Sequence, residues 1–324
     1  MDEQTQAWMN HFRAVLNANQ NGAKPDRGPY QDWPTLFARE HNDEWFVRGL
    51  WPAGRLIHLH AARKTGKSLM MLWIAVRLSM GFDPFTATAQ PARRVAFWDY
   101  EMTEDDLLDR LTDMGFTPAH LTNLQYALRP QYRALDTRDG GKAFVDVVTK
   151  YGAELVIFDT ITRVVQGDEN SNDTFRRFYE FTVRPLRDAG IPSGRLDHEG
   201  YDGSHSRGAS TKTDDVDVIW QLKRVDDGYK LINRGGRVPT VASEIVVRQL
   251  FDPLRYESRS GNAWPAGTAE KASELDAAGV PKEYGRGKAT AMLREHGFTA
   301  GTNVVLSAAL SFRRDPTYRL THPI

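Results

Sequence analysis

The sequence predicts an α/β protein built on a central, mostly parallel sheet flanked by helices, with antiparallel strands at one edge. Three observations predict it. Short apolar runs at residues 55–60, 94–98, 123–128 and 155–158 alternate with helical stretches at 67–80, 104–114 and 142–151. Only a short polar loop parts the apolar run ending at His60 from the helix beginning near Lys67. Beyond Asp215 the pattern turns to strands, at 216–222, 229–233 and 244–250, parted by Asp226-Asp227-Gly228 and Gly235-Gly236. Apolar runs alternating with helices belong to a parallel sheet, whose strands bury both faces. The closing runs, joined by tight turns, are expected to pair antiparallel.

The elements follow in order. Residues 4–17 place Trp8, Phe12, Val15 and Leu16 at helical spacing. This helix either packs on its own domain or docks as an arm on a neighbouring subunit. A polar stretch at 17–32 reads as a linker. A long helix at 173–189 carries Pro185 in its last turn, where a kink or fraying is expected. Residues 252–270, rich in Pro, Gly, Ser and Asn, read as a second linker, followed by short helices at 272–278, 287–296 and 304–313. The expected organisation is an N-terminal helix and linker (1–33), an α/β core (34–256), and a linker with a small helical unit (257–324).

Composition narrows the function classes. Lys plus Arg equals Asp plus Glu at 42 each in 324 residues, so no global basic field advertises nucleic acid. Cysteine is absent, which excludes disulfides, thiolate metal sites and thiol catalysis. Met1-Asp2-Glu3-Gln4 opens an acidic amino terminus without a signal-like apolar core. No apolar run approaches the roughly 18–20 residues that cross a bilayer. A cytoplasmic protein with no membrane partner is expected.

The most informative segment is Ala61-Ala62-Arg63-Lys64-Thr65-Gly66-Lys67-Ser68-Leu69, between an apolar strand and an apolar helix. Strand, loop and helix ending in Gly-Lys-Ser form a phosphate-binding loop. Ala62 through Leu69 are the expected nucleotide-binding residues. Gly66 lets the backbone approach phosphate, and successive N–H groups at the helix start hold the charge. Lys67 is expected to reach the β- and γ-phosphates, and the Ser68 hydroxyl to ligate magnesium. The cofactors implied are ATP and Mg²⁺. Ala61 stands where this motif begins with glycine, so φ there is expected below zero.

Two strand ends supply carboxylates. Glu154-Leu155-Val156-Ile157-Phe158-Asp159 is an apolar strand ending in Asp159, expected beside the loop's strand and holding the metal with Ser68. Val95 to Met102 contains Asp99 and Glu101, two residues apart, and Glu101 is the candidate base for a hydrolytic water.

These blocks together resemble the RecA-fold motor ATPases, especially DnaB-like and RepA-like replicative helicases of plasmids and phages. The resemblance covers roughly residues 45–250 and rests on motif order. Tyr100-Glu101-Met102, followed by a helix with Arg110, is similar to the family's water-activating glutamate segment, which favours Glu101 over Asp99. Leu196-Asp197-His198 resembles the sensor strand, with His198 reporting the γ-phosphate, although Ile191-Pro192-Ser193-Gly194-Arg195 is poor material for a buried strand. Arg207 and Arg234 are the candidates for an arginine acting in trans on the next subunit's nucleotide. The resemblance implies a RecA-like core and an oligomer, a hexameric ring in this family.

It also implies single-stranded DNA as a partner. Residues 163–173, with Gly167-Asp168-Glu169-Asn170, are too acidic to help. Residues 200–214 offer His205, Arg207 and Lys212 for sequence-independent phosphate contacts. From Ala277 onward seven Lys or Arg face three acids. The helical tail there resembles a helix-turn-helix or winged-helix unit, which binds duplex DNA, or is an appendage packed on the core. The leading expectation is an ATP-driven helicase-like motor. The alternatives are a recombination or repair protein, a nuclease using the same nucleotide site, and a nucleotide-switched DNA-binding regulator.

Overall fold

The computed structural model describes residues 31–38, 44–132, 134–199, 213–258 and 267–314. The expected helix at 4–17 lies outside them, as do His205, Arg207 and Lys212. Helix α1 (Trp33–Ala38) carries exposed Trp33 and Phe37.

In the rest of the chain a small hairpin, β1 (Trp45–Val47) and β2 (Trp51–Pro52), precedes the main sheet. Then come β3 (Ile57–Ala61), α2 (Lys67–Met80), β4 (Val95–Asp99), α3 (Glu104–Asp113), β5 (Leu124–Leu128), α4 (Arg138–Tyr151) and β6 (Leu155–Asp159). A short turn of helix, α5 (Ile161–Val164), leads to α6 (Asn172–Phe178) and, past a π-turn at 179–183, to α7 (Arg184–Asp188). Strands β7 (Ser193–His198), β8 (Val218–Val225), β9 (Gly228–Gly236), β10 (Glu244–Leu250) and β11 (Arg255–Ser258) follow. Helices α8 (Thr268–Ala277), α9 (Arg286–Glu295) and α10 (Asn303–Arg314) close the described chain.

The nine-stranded sheet runs β11-β10-β9-β8-β3-β7-β6-β4-β5. The six strands from β8 to β5 are mutually parallel, and β9, β10 and β11 add antiparallel at one edge. This is the RecA-like α/β arrangement expected from the sequence. The strands bury both faces because alternate residues enter different cores. Val95, Phe97, Leu155 and Ile157 pack with Met70, Leu72 and Val76 of α2. Ala96, Trp98, Val156 and Phe158 pack with Phe144 and Val148 of α4 and Phe175 and Phe178 of α6. Helix α2 is buried nearly all round, which explains its continuous apolar sequence.

The three closing strands do pair antiparallel with one another, β8 with β9 and β9 with β10, and β8 also joins β3 in parallel. Three expectations are corrected. Strand β6 does not lie beside β3, because β7 intervenes. Gly235 and Gly236 do not form a turn; they extend β9 against Val218 and Ile219. At Gly236 a Cβ would lie 2.2 Å from the Asp217 carbonyl oxygen, so the glycine serves close strand approach. Residues 255–258, expected as linker, form edge strand β11.

The unpromising segment before His198 is a central strand, buried from Ser193 to Asp197. Gly194 is required because the Trp51 ring lies on it, 2.5 Å from where a Cβ would sit. Arg195 is 1 % exposed yet compensated: it pairs bidentately with Asp215 (Nη1–Oδ1 3.0 Å) and stacks on Phe178. Strand propensity is overridden here by partners that arrive from distant sequence. At Pro185 the helix is not frayed. The wider π-turn at Tyr179–Val183 comes first, and Pro185 then occupies the first turn of α7, where its missing N–H costs little.

The carboxy-terminal helices enclose their own cluster of Ala272, Leu275, Ala289, Leu293, Leu306 and Leu310. Two of the tail's seven cations are spent inside it. Arg313, 4 % exposed, binds Asp276 and the Val280 carbonyl, and Arg314 binds the Lys282 and Tyr284 carbonyls. Among the described residues no helix is long and apolar enough to cross a membrane.

Candidate functional site

The parallel strands β3, β7, β6, β4 and β5 all deliver their carboxyl ends to one edge, where open α/β sheets place ligands. Lys67, Glu101, Asp159 and His198 come from four of these strand ends and meet there. Ala61 is ordinary extended backbone at the end of β3, as expected from its Cβ; the positive φ falls at Lys64 (61°) instead. Thr65 turns the loop by donating its hydroxyl to the Ala62 carbonyl, 2.8 Å away. Gly66 caps α2 at φ 107°, and a Cβ on it would lie 2.5 Å from the Tyr229 hydroxyl. Tyr229 in turn accepts a hydrogen bond from Arg224 (2.8 Å). Glycine is therefore needed twice at 66, for backbone conformation and for the tyrosine above it.

Lys67 is 5 % exposed. Burial lowers its pKa, opposed by the charges of Asp159, Glu101, Asp197 and Glu199. Its Nζ lies 3.4 Å from His198 Nδ1. On the other side of the ring, His198 Nε2 stands 3.9 Å from Glu101 Oε1, an electrostatic rather than a hydrogen-bonded separation. Glu101 also accepts from the Thr160 hydroxyl (3.3 Å) and faces Arg163 at 3.9 Å. The His198 imidazole foremost, then Thr160 and Arg163, hold its carboxyl below the usual range against the opposing effect of burial.

Asp99 and Glu101 divide the work that spacing alone left open. Asp99 is fully buried and accepts from the Tyr126 hydroxyl (2.5 Å) and from the N–H groups of Glu101 (2.7 Å) and Met102 (3.1 Å). Both its oxygens are engaged by these three bonds, whereas Glu101 opens into a cavity of about 800 Å³. That cavity is also lined by His198, Arg63, Lys64, Arg129 and Arg163.

The fold implies a divalent cation, and the donor set fits one. Asp159 is 1 % exposed, and neither carboxylate oxygen has a well-formed hydrogen bond. Burial pushes its pKa up to about 7; the nearby Ser68 hydroxyl and Lys67 work against that rise, while Asp99 and Glu101 add to it. An ionised carboxylate so placed calls for a cation. Among the described residues no group of three or more His, Asp or Glu side chains is positioned to hold a metal alone. A cation at Asp159 and Ser68 would therefore share its shell with phosphate and water.

Arg234 is exposed at the end of β9. Its Nε donates to Gln221 (2.8 Å), Gln221 donates to Glu199 (2.6 Å), and the Glu199 N–H donates to the Ala61 carbonyl (2.9 Å). It thus connects to the start of the phosphate loop within its own chain. Thr160, Arg129, Arg163 and Tyr229 join the site without belonging to any of the sequence motifs. The first three follow the ends of parallel strands, a positional signal; Tyr229 carries none, since its approach to Gly66 depends on the antiparallel edge.

A family model described as an AAA domain matches residues 24–199, more than half of the chain. The match spans Lys67, Glu101, Asp159 and His198 and stops short of Arg207 and Arg234. No curated protein matches the chain.

Proposed function

Since the chain belongs to the AAA-domain family of P-loop ATPases, we propose that it is an ATP-hydrolysing, DNA-dependent oligomeric motor of the replicative-helicase type, acting on single-stranded DNA. The observation that carries this reading is the series Lys67, His198, Glu101, in which one imidazole faces both the phosphate-loop lysine and the carboxylate beside it. A group that faces both can report the γ-phosphate to the residue that activates water, which is what a motor needs and a passive binder does not.

In the proposed mechanism the N–H groups of the loop from Ala62 to Leu69 hold the phosphates at the start of α2. Lys67 neutralises charge on the γ-phosphate. Glu101, ionised, orients the water and takes its proton as the oxygen attacks phosphorus and the bond to the bridging oxygen breaks. His198 holds Glu101 in register with Lys67. Ser68 and Asp159 would hold Mg²⁺, which when bound would supply charge neutralisation to the phosphates. An arginine from a neighbouring subunit, Arg207 or Arg234, completes the charge on the transition state, a contribution of about 10³–10⁵ in rate for such residues. Residues 200–212, with Arg207 and Lys212, carry the DNA contact in this reading, and the helical tail is an accessory duplex contact.

The test is ATP hydrolysis with and without single-stranded DNA, alongside a solution mass measurement. Stimulation by DNA in a ring-sized species is expected, with Lys67→Ala inactive. A Lys67→Ala protein that hydrolyses ATP at the normal rate refutes the mechanism, and hydrolysis indifferent to DNA refutes the motor reading.

A further inference from the structure

The cavity in front of Glu101 holds more positive charge than the mechanism uses. Arg63 and Lys64 from the phosphate loop, Arg129 from the end of β5 and Arg163 from α5 converge on it, against Glu101, Glu169 and Asp197. Asp197 is buried and occupied in part by the His198 N–H. Arg63 and Lys64 have no carboxylate partner among the described residues. Arg163 pairs with Glu101 at 3.9 Å, and Arg129 donates to the Glu101 carbonyl (Nη2–O 3.1 Å) and lies within the field of the exposed Asp106 carboxylate.

Arg129 is also conformationally unusual. Its φ is 45°, a left-handed value that a residue with a Cβ rarely adopts. The conformation is held by its own N–H, which donates to the Asp99 carbonyl (2.6 Å). Strain of this kind collects at functional positions. Here it turns a guanidinium back over Glu101 instead of letting β5 run on. Because Lys67 marks the phosphate side and Glu101 the water side, the γ-phosphoryl group moves towards this cavity when its bond to ADP breaks.

We propose that the cavity is a holding site for inorganic phosphate, in which Arg129 and Arg163 take the tetrahedral anion leaving Glu101 and Arg63 and Lys64 line its way to solvent. The site rests on the hydrolytic reading above, for it is the cleaved phosphate that fills it. Guanidinium groups suit it because their planar N–H forks match two phosphate oxygens at once.

Binding is tested without turnover, so that it stands apart from the motor reading. Orthophosphate is titrated calorimetrically into the full-length protein saturated with ADP and Mg²⁺. One phosphate per chain is expected to bind. Arg129→Gln and Arg163→Gln are each expected to weaken it by about fivefold to tenfold, the loss of one partly exposed charge-assisted contact, with ADP affinity unchanged and Arg129→Lys intermediate. If Arg129→Gln lowers the melting temperature, Arg163→Gln, whose side chain is exposed, carries the test. No binding by the wild type, equal binding by the variants, or an equal loss of ADP affinity overturns the proposal. Displacement of phosphate by a short oligothymidylate, with the same loss of oligonucleotide affinity in the variants, also overturns it and makes the cavity a nucleic-acid contact.

Discussion

Asp159→Asn separates the demands of folding from those of metal binding. In the nucleotide-free protein this carboxyl has a pKa of about 7 against 3.8 in a reference chain, chiefly because it is buried. Between those values the native state keeps a proton that the unfolded chain has released. Stability therefore falls as pH rises from about 4 to about 7 and levels off above. At about 1.36 kcal/mol per pH unit the whole interval is worth about 4 kcal/mol, of which about 2–3 kcal/mol is traversed between pH 5 and pH 8. Asparagine removes the titration at nearly constant volume. The stability of Asp159→Asn relative to wild type, from urea unfolding without nucleotide or metal, should accordingly rise by about 2–3 kcal/mol from pH 5 to pH 8. The same carboxylate should make Mg²⁺ affinity fall about tenfold for each pH unit below 7, since the cation must displace the proton. A wild-type-to-variant difference that stays constant over pH 5–8, or shrinks as pH rises, would refute the assignment of a buried, under-compensated carboxylate.

Three further outcomes follow from the same geometry. Glu101→Gln should lower ATP hydrolysis by about 10²–10⁴ while leaving ATP binding intact, and steady-state rates with a filter-binding control check it. Gly194→Ala forces a methyl against the Trp51 ring at 2.5 Å, an overpacking cost of about 1–3 kcal/mol in denaturant unfolding; a neutral result would show that the hairpin gives way. Arg195→Met leaves Asp215 without its bidentate partner and should cost about 3 kcal/mol, with little dependence on salt because the arginine is buried; a loss that vanishes in 1 M salt (about 3 Å screening length) would place the pair at the surface instead.

Much of the fold was legible from local pattern alone. The parallel strands appear as apolar runs because both their faces are buried, and α2 as a continuous apolar helix for the same reason. What misled was local chemistry with a distant partner. Ser193-Gly194-Arg195 looks unfit for a central strand until Trp51 covers the glycine and Asp215 meets the arginine. Residues 255–258 look like linker until β10 offers a free edge. Gly235-Gly236 reads as a turn but serves close contact with β8.

The phosphate loop, Asp159 and Glu101 could be found in the sequence because each is a short contiguous signal, a strand end followed by a residue of the needed chemistry. Strand order could not, since hydrogen bonding between strands leaves no trace in either strand's own pattern; the structure alone put β7 between β3 and β6. That insertion carries His198 to within 3.4 Å of Lys67 and 3.9 Å of Glu101. The residue types of the site were thus determined by sequence. The division of labour between Asp99 and Glu101, the strain at Arg129 and the gathering of four cations before Glu101 were decided by tertiary structure, because charge and burial depend on neighbours that only folding brings together.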